Sequence, residues 1–123
     1  MPSPSLDSSL VRILIDNQDL RRPVGAGFLV TPKHILTCAH VVNTALGRNL
    51  NAADQPSPAS EVFLDFPLLN NQSLLRAKIL HWFPVADNPA TDATGTTGTL
   101  EDIAALELLP ETPLPAEAQP APL

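Results

Sequence analysis

The 123-residue sequence predicts an all-β fold, a six-stranded antiparallel barrel. Two observations carry that expectation. Six short apolar, partly β-branched segments recur along the chain, separated by polar or proline-containing connections. Fourteen prolines, four phenylalanines, one tryptophan and no tyrosine suit short punctuated strands and make a poor helical bundle. At 44% hydrophobic and 16% charged, a chain of this size forms one domain burying roughly two-thirds of its unfolded surface.

Residues 1–9 are polar with two prolines and read as a loose N-terminal tail. Leu10 to Ile15 (LVRILI) is the first strand, with Val11, Ile13 and Ile15 sharing a face. Asp16 to Asp19 are turn formers. Val24 to Val30 is the second strand, and its two glycines mark places where another backbone or side chain comes close. Thr31-Pro32 turns the chain into a third strand, Lys33 to Thr37. Residues 43–60 read as a loop entered through one helical turn after His40. Glu61 to Phe66 is the fourth strand. Leu74 to Trp82 is the fifth, with Arg76 and Lys78 on one face and Leu75, Ala77 and Ile79 on the other. Residues 84–101 form a polar loop before the sixth strand, Ile103 to Leu109. The last stretch, 110–123, holds five prolines and reads as an extended linker with no core of its own.

Charge and cysteine content narrow the function. The net charge of -6 argues against a nucleic-acid backbone or an anionic membrane as the main partner. All seven Lys and Arg lie between Arg12 and Lys78, so residues 79–123 read as a solvated acidic flank. A single cysteine, Cys38, excludes an internal disulfide framework and a cysteine-based zinc cluster. There is no apolar run of membrane-spanning length and no signal-peptide pattern at the N-terminus. With one free thiol, the expected compartment is cytoplasmic. No cofactor or metal is expected, because neither a ligand cluster with metal spacing nor a phosphate-cradling glycine loop is visible.

Chemistry concentrates in Gly25 to Val42, GAGFLVTPKHILTCAHVV, and in Asp102-Ile103-Ala104-Ala105-Leu106. His40 follows an apolar strand and Asp102 precedes another, so both can emerge at a barrel rim. A hydroxyl nucleophile needs a base within hydrogen-bond reach, and that base needs a third group to fix its tautomer. These two segments resemble the surroundings of the catalytic histidine and aspartate in the trypsin-like (chymotrypsin-fold) serine peptidases. Thr37-Cys38-Ala39-His40 stands where that family has T-A-A-H, and L-T-C-A-H-V-V is similar to the form in its intracellular bacterial members. The segment from Asp102 resembles the family's D-I-A-L-L motif.

The resemblance covers residues 10–109, and the family's order, histidine before aspartate, is kept. It implies a Greek-key barrel, the first half of a double-barrel trypsin-like fold, with 110–123 as the inter-barrel linker. It implies a serine endopeptidase acting on polypeptide substrates, with His40 as general base and Asp102 as its orienting carboxylate. Cys38 takes the place of the family's core-facing small residue before the histidine. A helical turn at His40 is expected to send the Cys38 and His40 side chains apart. Cys38 is therefore expected to be buried and structural, and His40 partly open to solvent; His34 and His81, within strands, are expected to be structural.

None of the seven serines is flanked by glycine or follows Asp102. The family's G-D-S-G-G nucleophile segment, oxyanion hole and specificity pocket are thus expected from a second barrel absent from this chain. No activation segment ahead of the first strand is visible either. The 123 residues alone are expected to be inactive, with an exposed cleft face that binds the missing C-terminal barrel or self-associates. The alternative is a non-catalytic β-barrel protein-interaction module derived from such a peptidase.

Overall fold

A computed structural model describes residues 6–17, 20–69, 74–84, 102–110 and 114–121. Most of the loop expected over 84–101 lies outside the described residues, with its acids Asp87 and Asp92. Among the described residues there are six strands: β1 (Leu10–Asn17), β2 (Leu20–Thr31), β3 (His34–Thr37), β4 (Glu61–Asp65), β5 (Leu75–Phe83) and β6 (Ile103–Leu108). One short helix, α1 (Ala39–Ala45), follows β3, and a single 3-10 turn, Leu6–Ser8, precedes β1. Among the described residues no helix is long and apolar enough to cross a membrane.

The strands close into an antiparallel barrel in the order β1-β2-β3-β6-β5-β4, with β4 returning to pair with β1. Closure leaves no free sheet edge, so each strand finds ladder partners on both sides. β2 is longer than the expected segment and includes Pro23. The proline is tolerated because the β1–β2 register slips there: Ile13 pairs Gly25, Leu14 pairs Pro23, and Val24 is the extra residue.

Alternation decides the core. In β5 the buried residues are Leu75, Ala77 and Ile79, while Arg76 and Lys78 point outward, as period-2 patterning requires. The inward faces of all six strands contribute, with Val11, Ile13, Leu29, Ile35, Leu64 and Leu106 among those fully buried. α1 packs against β1, β2, β4 and β6 and adds Val41 and Val42 to the core. Burying two such side chains is worth about 1.5–3 kcal/mol each, which ties the helix to the barrel.

The two glycines of β2 sit at close approaches. A Cβ on Gly25 would lie 2.6 Å from both γ-carbons of Val41, so α1 rests directly on this strand. A Cβ on Gly27 would lie 2.7 Å from the Leu36 carbonyl oxygen.

The described part of 110–123 does not extend freely. Gln119 donates its backbone N–H to Ser8 O at 3.0 Å and Ala121 to Leu29 O at 2.7 Å. Pro115 is buried, and Leu114 and Ala118 pack on the barrel core. Apolar residues spaced between the prolines give the segment a face to bury, a signal that proline count alone conceals.

Candidate functional site

The β3–β6 register explains how distant residues meet. His34 pairs Glu107, and each step forward on β3 is a step back on β6, to Thr37 opposite Ala104. The ladder therefore leaves Asp102, two residues before Ala104, at the same end of the paired strands as Cys38 and His40, which follow Thr37. The ladder ends there because Cys38, in extended conformation (φ -89°, ψ 143°), is the N-cap of α1. Strand gives way to helix at the rim of the barrel, and the chain carries His40 out over the start of β6.

His40 and Asp102 are joined twice. The backbone N–H of His40 donates to Asp102 Oδ1 at 2.9 Å. The imidazole Nδ1 hydrogen-bonds Asp102 Oδ2. An ionised carboxylate only accepts, so Nδ1 carries the proton and Nε2 presents its lone pair. Among the described residues Nε2 has no hydrogen-bond partner, and the His40 side chain is 41% exposed. Expectation and structure agree that His40 is partly open. The arrangement fixes the tautomer and orientation of an accessible imidazole, which is what a general base requires.

Cys38 departs from expectation. It is half-buried and not buried, although it packs against the core. Nor is it sent away from His40: its sulfur, a His40 ring nitrogen and an Asp102 carboxylate oxygen all lie within 4.8 Å of one another. The helix begins at Ala39, one residue earlier than expected, and Cys38 is its extended N-cap. Its backbone carbonyl accepts from Val41 and Val42 N–H at 3.1 and 3.2 Å, while its side chain makes no cap hydrogen bond. Burial, then the negative charge of Asp102, pushes the Cys38 thiol above its ordinary pKa, so the thiol is a poor nucleophile at neutral pH.

The other histidines stand apart. His34 Nδ1 hydrogen-bonds Thr31 Oγ1 at 2.6 Å, and its Nε2 lies 3.4 Å from Glu107. His81 is exposed on β5, opposite Ala105.

A polar network that the sequence reading missed holds the far end of α1. Asn43 is 1% exposed. Its Nδ2 donates to Leu50 O and Ala52 O, both at 3.1 Å, and its Oδ1 accepts from Arg48 Nη1 at 2.8 Å. Arg48 also donates to Asp54 O at 2.6 Å and sits 5.8 Å over the Trp82 ring. Trp82 Nε1 donates to Ala53 O at 3.0 Å. A sequence signal existed: Ala39, Val42, Asn43 and Leu46 share the core-facing stripe of the helix, and an asparagine there needs partners.

Apolar side chains stand exposed on the outer surface beside this rim. Phe28 pairs Leu36 across β2 and β3, Leu36 pairs Ala105 on β6, and Ile103 pairs Phe83 on β5. Phe28, Leu36, Phe83 and Ile103 are between 39% and 47% exposed. Ile103 is the immediate neighbour of Asp102. No protein-family model and no curated protein matches the chain.

Proposed function

We propose that this chain is the first barrel of a trypsin-like serine endopeptidase, in which His40 is the general base and Asp102 the carboxylate that orients it. One observation carries the proposal: a partly exposed imidazole is bonded through Nδ1 to a carboxylate that is itself held by the histidine's own backbone N–H. In the reaction, Nε2 takes the proton of a serine hydroxyl as the oxygen attacks the scissile carbonyl. It then returns that proton to the leaving amine, while Asp102 stabilises the intervening imidazolium.

The serine, the oxyanion donors and the specificity pocket come from a second barrel, since no serine of the 123 residues is flanked by glycine. The exposed apolar band of Phe28, Leu36, Ile103 and Phe83 beside Asp102 supplies a surface for that partner. The substrate is a polypeptide. A cytosolic setting belongs to the same proposal and is supported by the single free thiol.

The test is a chain extended past Leu123 by the parent gene's own downstream sequence. A second domain of roughly 100 residues carrying a glycine-flanked serine is expected. The extended protein should hydrolyse peptides and be labelled by a serine-directed phosphonate, whereas residues 1–123 alone do neither, because most stabilisation in acyl transfer comes from oxyanion donors. In it His40→Ala should abolish turnover, and Asp102→Asn should lower it by about 10⁴. A folded extended protein with no serine and no hydrolysis would overturn the peptidase proposal in favour of the interaction module.

A further inference from the structure

We propose that Cys38, His40 and Asp102 form a binding site for a thiophilic divalent cation, with zinc(II) as its type. The three donor atoms, one sulfur, one nitrogen and one oxygen, already lie within 4.8 Å of one another. Ligand atoms around tetrahedral zinc stand about 3.5 Å apart, given bonds of 2.0–2.3 Å. Binding therefore requires the Cys38 side chain to rotate inward and His40 Nδ1 to part from Asp102 Oδ2, whose hydrogen bond the ion replaces.

The donor set decides the class of ion. Thiolate and imidazole favour zinc and its neighbours, whereas magnesium and calcium take oxygen ligands. Commitments elsewhere are few. The sulfur makes no cap hydrogen bond. The His40 backbone N–H holds Asp102 Oδ1 at 2.9 Å and keeps the carboxylate oriented, while the ion displaces the hydrogen bond between His40 Nδ1 and Asp102 Oδ2 and takes both atoms as ligands. All three side chains are partly open to solvent, so an ion can enter and a water can complete the fourth position.

Binding replaces the S–H bond of Cys38 with a sulfur–metal bond, and the proton leaves to solvent. His40 Nδ1, the nitrogen turned toward Asp102, gives its lone pair to the ion, and the ring's proton resides on Nε2 instead. An Nε2 that carries a proton cannot accept one. Where His40 acts as the general base proposed above, metal occupancy and base function are therefore mutually exclusive. That consequence rests on the peptidase proposal, whereas the binding itself does not.

Cobalt(II) titration of the reduced, purified 123-residue chain tests the site by absorption, with a readout independent of hydrolysis. A sulfur-to-cobalt charge-transfer band should grow to saturation at one ion per chain and be displaced by zinc(II). Cys38→Ser should remove the band. His40→Ala and Asp102→Asn should each weaken binding more than about tenfold, while the paired change His34→Asn with His81→Asn should leave it intact. Circular dichroism of each variant separates ligand loss from unfolding. Absence of the band in the unmodified chain would overturn the proposal, as would undiminished affinity in folded His40→Ala and Asp102→Asn proteins. Failure of the peptidase proposal alone would leave every one of these outcomes unchanged.

Discussion

Gly25 and Val41 approach so closely that a Cβ on residue 25 would stand 2.6 Å from both γ-carbons of the valine. Val41 follows His40 directly, and it is the α1 side chain nearest to Gly25 of β2. The seat of the helix, and through it the position of the imidazole, is therefore set by a hydrogen atom in place of a methyl group.

Gly25→Ala should push α1 off β2 and destabilise the chain by about 1–3 kcal/mol, the usual range for overpacking. Val41→Ala removes the two colliding γ-carbons, so the double variant should recover part of the loss. Urea denaturation of the four proteins measures the coupling. Strictly additive effects would mean that the contact does not set the seat of the helix.

Asn43→Ala should cost about 1–3 kcal/mol, because two backbone carbonyls and the Arg48 guanidinium lose a buried partner together. Asn43→Asp keeps an acceptor for Arg48 and loses both donors. Hydrogen exchange over residues 48–54 should accelerate in Asn43→Ala more than elsewhere. Unchanged protection there would show that the loop is held without the asparagine.

Cys38 should alkylate more slowly than an ordinary cysteine between about pH 7 and 9, where the ordinary thiol ionises. Its pKa is raised, so at any pH in that window a smaller fraction is thiolate, and the rate profile shifts to higher pH. Burial is the larger cause and Asp102 the smaller. Asp102→Asn removes only the second, so it should move the iodoacetamide profile part of the way back. A profile unaffected by that change would remove Asp102 from the account.

On the peptidase proposal the 123-residue chain should self-associate through the band formed by Phe28, Leu36, Ile103 and Phe83. Sedimentation at several concentrations should show a rising mean mass, and Leu36→Asp should suppress it. A monomer at all concentrations would mean that the band needs no cover.

Much of this was legible in the sequence. Residue alternation in β5, the strand through Leu10–Ile15 and the glycines of β2 report local constraints: period 2 for a half-buried strand, and a missing side chain where something approaches. His40 and Asp102 were singled out by the resemblance of their segments to the trypsin-like motifs, and their places at the ends of apolar strands agree with a rim position. Closure of the sheet follows the same inward alternation in all six segments.

What the sequence left open were relations between segments. The expected helical turn does not send Cys38 away from His40: their donor atoms and that of Asp102 lie within 4.8 Å of one another. The β3–β6 register, not either segment, brings the start of β6 beside the end of β3 and so Asp102 to His40. Asn43 reads as an ordinary loop-entry residue until a helix turns it inward and residues 48–54 fold over it. The prolines of 110–123 say where a helix cannot form, but not that Leu114, Pro115 and Ala118 find the barrel. Local steric rules are written in the order of residues, whereas cross-strand register and docking are fixed only when distant surfaces compete to be buried.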